Sequence, residues 1–169
     1  PEVGQRTVTL TSATKAFNIP GLRCAVAHFG SREVHARFNA THPSHVRGGI
    51  GILGLYATLA AWQHSQPWLD QVLAYLDGNR RFLADQLEKD FPGIVHHVPE
   101  ATYLAWLDCR ALEIGRHPAK FFLDNGRVAL NEGTAFGGAF EGYVRLNFAT
   151  SRTILEQTLE RMQEALAKR

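Results

Sequence analysis

Four side chains stand in patterns that could do chemistry: Ser12, Lys15 and Arg23 within "TLTSATKAFNIPGLRCAVA", and Arg145 within "YVRLNFA". An amine is a nucleophile or base only when unprotonated, and a phosphate group needs several donors around it. Ser12 and Arg23 are natural phosphate ligands, the arginine through a charge-assisted fork, and a nearby cation also favours a neutral amine. Spacing alone leaves open that Lys15 is a solvated loop lysine and Arg23 an edge-strand charge. Arg145 lies between Val144 and Leu146 in a short strand pattern, so it must point to a polar pocket or to solvent. Arg152, just beyond, reads as a surface or helix-entry charge.

The elements that position these groups follow from hydrophobic period and punctuation. Residues Thr7 to Leu10 alternate and are rich in β-branched side chains, Thr11 to Gly21 is a polar loop containing Pro20, and Leu22 to Phe29 suits a buried strand. Lys15 is therefore expected on a loop between two strands that have no evident partners in the chain. After "HPSHVRGGIGILG", whose glycines weaken local helix stability, Ile50, Leu53, Tyr56 or Ala57, and Ala60 recur at helical spacing. Pro67 suits a first helical turn, and Leu69, Val72, Leu73, Leu76, Leu83 and Leu87 form one stripe until "FPG" stops it. Strand patterns "IVHHV" and "TYLAWLD", a helix "PAKFFLDNG", a short "RVAL", the glycine-rich loop "NEGTAFGGAFEG" and the strand "YVRLNFA" come next. A final helix carries Leu155, Leu159, Met162 and Leu166 on one face, with Thr153 and Glu156 at capping-box spacing. From about Asp85 onward the pattern is that of a compact α+β unit.

Composition narrows the function classes. The 169 residues suffice for one substantial core, and the hydrophobic 45% and charged 20% are those of a folded globular chain. Eighteen basic and sixteen acidic residues are spread along the chain, so no basic footprint points to nucleic acid. The apolar run from Ile50 to Trp62 is too short and too glycine-rich to cross a bilayer, and no signal-peptide pattern opens the sequence, which makes a cytoplasmic location the expectation. Cys24 and Cys109 lie in separate apolar stretches and read as reduced core packing.

"SATKAFNIPGLR" resembles the lysine motif of fold-type I pyridoxal-phosphate enzymes, in the form found in cystathionine β-lyases of the MalY/PatB type. The similarity continues through "WLDQVLAYLDGNRRFL", "PEATYLAWLDCRAL", "NEGTAFG" and "YVRLNF", over nearly the whole chain. The resemblance implies an α/β chain forming the C-terminal portion of that fold: residues 1–50 end the large cofactor domain, 51–85 are connecting helices, and 86–169 are a small α+β domain. It further implies that Lys15 binds pyridoxal 5'-phosphate covalently, Ser12 and Arg23 hold its phosphate, and Arg145 binds the substrate α-carboxylate. Relatives carry a glycine-rich phosphate turn, a ring-stacking aromatic and an aspartate ahead of the lysine; none precedes Lys15 here, so an N-terminal segment is the expected missing partner and the chain alone is expected to be inactive.

The implied activity is C–S β-elimination on a sulfur amino acid, giving thiol, pyruvate and ammonia, in a homodimeric enzyme. The alternatives are an aminotransferase and a non-catalytic C-terminal piece whose unpaired strands invite another chain. Two rival motifs are weaker. Gly49, Gly51 and Gly54 match G-x-G-x-x-G, but no strand precedes them and no strand ending in an acidic residue follows at the required distance. His42 with His45 lack a third ligand nearby, and His96 with His97 point to opposite faces of a strand, so neither pair reads as a metal site.

Overall fold

The computed structural model describes residues 2–169, which cluster into two compact units that divide between Val72 and Leu73. No helix among the described residues is long and apolar enough to cross a membrane.

The first unit opens with the single-turn helix α1 (Glu2–Gln5) and the antiparallel pair β1 (Val8–Thr11) and β2 (Val26–Phe29). Val8 faces Phe29 and Thr11 faces Val26 in the register, so the two strands that lacked evident partners pair with each other. The connection reverses because the Ser12 hydroxyl donates to the Cys24 carbonyl at 2.7 Å, tying its two ends. The expected strand Leu22–Phe29 starts only at Val26. Pro20–Leu22 form a 3-10 turn and Arg23 follows it in the left-handed region, φ 49 and ψ 48, where an extended chain cannot continue. Nor is this strand buried: Val26, Ala27 and His28 are exposed.

A helix that the sequence reading passed over, α2 (Arg32–Thr41), is started by Ser31, whose Oγ accepts the Val34 amide at 3.3 Å. Phe38 of α2 packs 5.1 Å from Phe29 of β2. The short α3 (Ser44–Arg47) is followed by α4 (Ile52–His64), for which the expected inward stripe is reversed. Leu53 is 71% exposed, and the buried positions are Gly54, Thr58 and Ala61. The cause is close backbone approach: a Cβ on Gly54 would lie 2.5 Å from the Leu22 carbonyl oxygen. Gly48, Gly49 and Gly51 all precede the helix, so only Gly54 burdens it.

Helix α5 (Gln66–Asp90) has Pro67 in its first turn, as its sequence suggests. Within the second unit its inward positions are Asn79, Leu83 and Leu87; Leu73, assigned to the same stripe, is exposed. The sheet runs β3 (Val95–His96), β4 (Leu104–Asp108), β6 (Tyr143–Asn147), β5 (Asn131–Glu132), antiparallel throughout. Period-two alternation sends Ala105, Leu107, Val144 and Leu146 to one face. There they join Leu83, Leu87, Phe122 of α6 (Pro118–Gly126), and Leu155, Leu159 and Met162 of α7 (Arg152–Leu166) in one core. "RVAL" is not a strand, because Arg127 closes α6 in the left-handed region and the ladder forms later, at Asn131. Helix α7 is capped by Ser151, two residues ahead of the expected Thr153; its Oγ accepts the Ile154 amide, and Tyr75 Oη accepts the Arg152 amide. Arg152 itself lies 4.1 Å from the Phe82 ring centroid, a helix-entry charge with a packing role.

Candidate functional site

In the first unit the β1–β2 connection carries Ser12, Lys15 and Arg23. Lys15 is exposed on a turn closed by the Phe17 amide to the Ala13 carbonyl and the Ile19 amide to the Thr14 carbonyl, both 3.0 Å. Ala13, fully buried, anchors that turn from beneath. Among the described residues neither the Lys15 ammonium nor the Arg23 guanidinium has a hydrogen-bond or ion-pair partner. Ser12 is half-buried and engaged: besides Cys24 it bonds Thr14 Oγ1 at 2.8 Å and accepts the Thr14 amide at 3.1 Å. Its bond to the residue after Arg23 brings the Ser12 and Arg23 ends of the loop together. The packing of Gly54 against Leu22 and Cys24 fixes that end to α4.

This donor set fits a phosphorylated aldehyde. An unpartnered guanidinium, an exposed primary amine and a hydroxyl share one tethered loop.

In the second unit Arg145 lies on the sheet face opposite the core. Its register neighbours are Trp106 on β4 and Asn131 on β5. Nη2 donates to Asn131 Oδ1 at 3.0 Å, and the guanidinium carbon is 4.5 Å from the Phe136 ring centroid. Nε is buried without a partner. Sequence reasoning found Arg145 and missed these companions; "NEGTAFGG" marked a glycine-rich loop, but only the register shows that it folds over the arginine. Lys15 and Arg145 thus belong to different units.

The Cys109 thiol is pushed up to about 12, first by burial and then by the charges of Asp108 and Glu132, so it is a packing residue rather than a nucleophile. Both cysteines are free and buried. The Arg110 fork, with Nε and Nη2 donating to Asp108 at 2.9 and 2.7 Å, holds that carboxyl below its ordinary range. Burial lowers His96, on the core side of β3, and leaves its Nε2 without a partner. The dinucleotide reading of Gly49, Gly51 and Gly54 loses its required context, because Ser44–Arg47 ahead of them is helical and Gly54 serves a helix-to-loop contact.

Residues 1–162 match the family Aminotransferase class I and II. The chain belongs to that family. It is 39% identical to the cystathionine beta-lyase of Corynebacterium glutamicum over 159 residues, which cover 94% of this chain and 42% of that one. It is 32% identical to cystathionine beta-lyase PatB of Bacillus subtilis over 161 residues, covering 95% and 42%. Among solved structures, the PLP-bound C-S lyase of Staphylococcus hominis superposes with a TM-score of 0.87 at 34% identity, covering 95% of this chain and 42% of that one. The architecture is therefore a mixed α/β part of the fold-type I aminotransferase fold, and the chain spans about two-fifths of the length of these relatives.

Proposed function

We propose that this chain supplies the lysine, phosphate ligands and carboxylate anchor of a pyridoxal-phosphate-dependent C–S β-lyase of the cystathionine β-lyase type. The observation that carries the reading is the exposed, unpartnered Lys15 on a loop whose ends, at Ser12 and Arg23, are tied by one hydrogen bond. Pyridoxal phosphate, when bound, supplies an electron sink for the bonds at the substrate α-carbon. Arg23 holds the phosphate by a charge-assisted contact, and the Ser12 hydroxyl joins it by turning its one proton from the Cys24 carbonyl to a phosphate oxygen. Lys15 Nζ holds the cofactor covalently and, once released and unprotonated, is the base that takes the α-proton. Arg145 binds and orients the substrate α-carboxylate. Loss of a thiolate from the β-carbon leaves an enamine that, once released, tautomerises and is hydrolysed by one water to pyruvate and ammonia, with a sulfur amino acid as the substrate class.

In this reading residues 1–50 end the large cofactor domain, 51–85 connect, and 86–169 form the small domain. The exposed apolar strands β1 and β2 pair with the rest of the large-domain sheet, supplied by an N-terminal segment of the same protein, and the apolar flank of α4 is covered in a homodimer. A cytoplasmic setting suits two free, buried thiols.

The test, on the chain together with the N-terminal segment that this reading requires, is reconstitution with pyridoxal phosphate, borohydride reduction and peptide mapping, alongside assays for pyruvate from cystathionine and for amino transfer to a keto acid. A label confined to Lys15, with pyruvate released and both lost on Lys15→Ala, is the expected result. A label elsewhere, or full turnover in Lys15→Ala, removes the lysine assignment. Amino transfer without pyruvate moves the reaction class to aminotransferase.

A further inference from the structure

The surroundings of Arg145 say more than that a cation is present. A guanidinium is planar and carries five N–H donors. Asn131, directly across the ladder on β5, takes one of them at 3.0 Å. The Phe136 ring lies 4.5 Å from the guanidinium carbon, where the ring quadrupole attracts the cation. Nε remains buried and without a partner, although a buried unmade donor is costly. Nη1 also has no partner among the described residues and, unlike Nε, is not buried, so it is the donor that an incoming anion can reach.

Phe136 is itself held for the task. Trp106 meets it edge-on with centroids 5.5 Å apart. The 3-10 turn Gly133–Phe136 can form only with glycine at its start, since a Cβ there would stand 2.3 Å from the Phe140 carbonyl oxygen and 2.7 Å from that of Tyr143. Gly137, at φ 137, then turns the chain away. Even so Phe136 stays 44% exposed, which marks it as a residue placed at a surface site rather than in the core.

We infer that Asn131 and Phe136 are positioning residues that fix the Arg145 guanidinium so that its remaining Nη donors meet a carboxylate without rearrangement. This rests on the reading of Arg145 as the substrate-carboxylate anchor. Preorganisation of this kind raises affinity by removing the cost of ordering a long side chain at binding.

The experiment uses the full 169-residue chain with isotope-labelled arginine side chains and sodium propionate as a bare carboxylate probe, at constant ionic strength. In the native sequence the Arg145 Nε–Hε resonance shifts saturably. Phe136→Leu and Asn131→Ala each weaken propionate binding by about three- to ten-fold, Phe136→Trp restores it, and circular dichroism shows every variant folded. In an Arg145→Lys background, followed through the β6 backbone amides, Phe136→Leu has no additional effect. Saturable binding untouched by both Phe136→Leu and Asn131→Ala overturns the positioning inference alone, as does an equal loss from Phe136→Leu in the lysine background. A native Arg145 resonance indifferent to propionate, or unchanged binding in Arg145→Lys, overturns the anchor reading beneath it.

Discussion

The two units treat the same kind of sequence pattern in opposite ways. On β4 and β6 the period-two alternation drives Leu107 and Leu146 into a core sealed by α5, α6 and α7. On β1 a similar alternation leaves Leu10 74% exposed, and on α4 the regular apolar stripe faces outward while small residues pack inward. A hydrophobic period therefore specifies a face; whether that face is buried depends on a second layer, which residues 73–169 supply for their sheet, whereas in the first unit Leu10 of β1 and Leu53 of α4 stay uncovered.

The comparison is sharpest where the core is deepest. Phe122→Ala, which empties a fully buried ring site on α6, is expected to cost about 3–5 kcal/mol in chemical denaturation. A loss well below that range would mean that the second unit is as loosely packed as the first. Asn79→Ala is expected to cost about 1–3 kcal/mol. The buried Nδ2 donates to the Phe148 and Thr150 carbonyls at 3.0 and 2.9 Å, and the truncation strands both just past the strand that carries Arg145.

In the first unit the sensitive point is a backbone contact, not an apolar side chain. Gly54→Ala is expected to cost about 1–3 kcal/mol by forcing α4 away from Leu22. Weaker pyridoxal-phosphate binding should accompany it, read from the cofactor's absorbance on titration. A silent Gly54→Ala would show that α4 does not brace the lysine loop.

A smaller effect is expected from pH. Burial holds His96 below its ordinary 6.5, so the unfolded chain takes up the proton more readily. Stability is therefore full above pH 6.5 and falls as the pH drops through that value toward the lower folded pKa. His96→Phe should flatten this limb in denaturation curves recorded across it; an unchanged slope would assign the acid sensitivity elsewhere. Least of all is expected from Leu10→Thr, within about 0.5 kcal/mol by melting of the chain alone. A large loss there would break the comparison outright, since it would mean that β1 is already covered.

How much of this was legible in the sequence depended on whether local signals sufficed. The helical stripe of α7 and the alternation of β4 and β6 were readable, because their partners lie within the chain and reinforce the pattern. The inward face of α4 was not, because a glycine contact carries no hydrophobic signal. The start of α7 was misread by two residues because Thr153 and Ser151 both have capping chemistry, and only the extended backbone at Ser151, φ −65 and ψ 151, decides between them. At the site, Ser12, Lys15, Arg23 and Arg145 were legible as donors. Asn131 and Phe136 were not, since their meeting with Arg145 depends on strand register and on a turn twelve to nine residues upstream.

That turn has a consequence for anyone altering the protein. Gly133 and Gly137 are locked, one by steric contact and one by backbone angle, whereas Ala135 between them is exposed and bears no such constraint. Variation between two fixed hinges can reshape the rim of the arginine without disturbing the ladder beneath it. Randomising Ala135 while keeping both glycines is thus a compact library for altering the carboxylate selectivity proposed for Arg145.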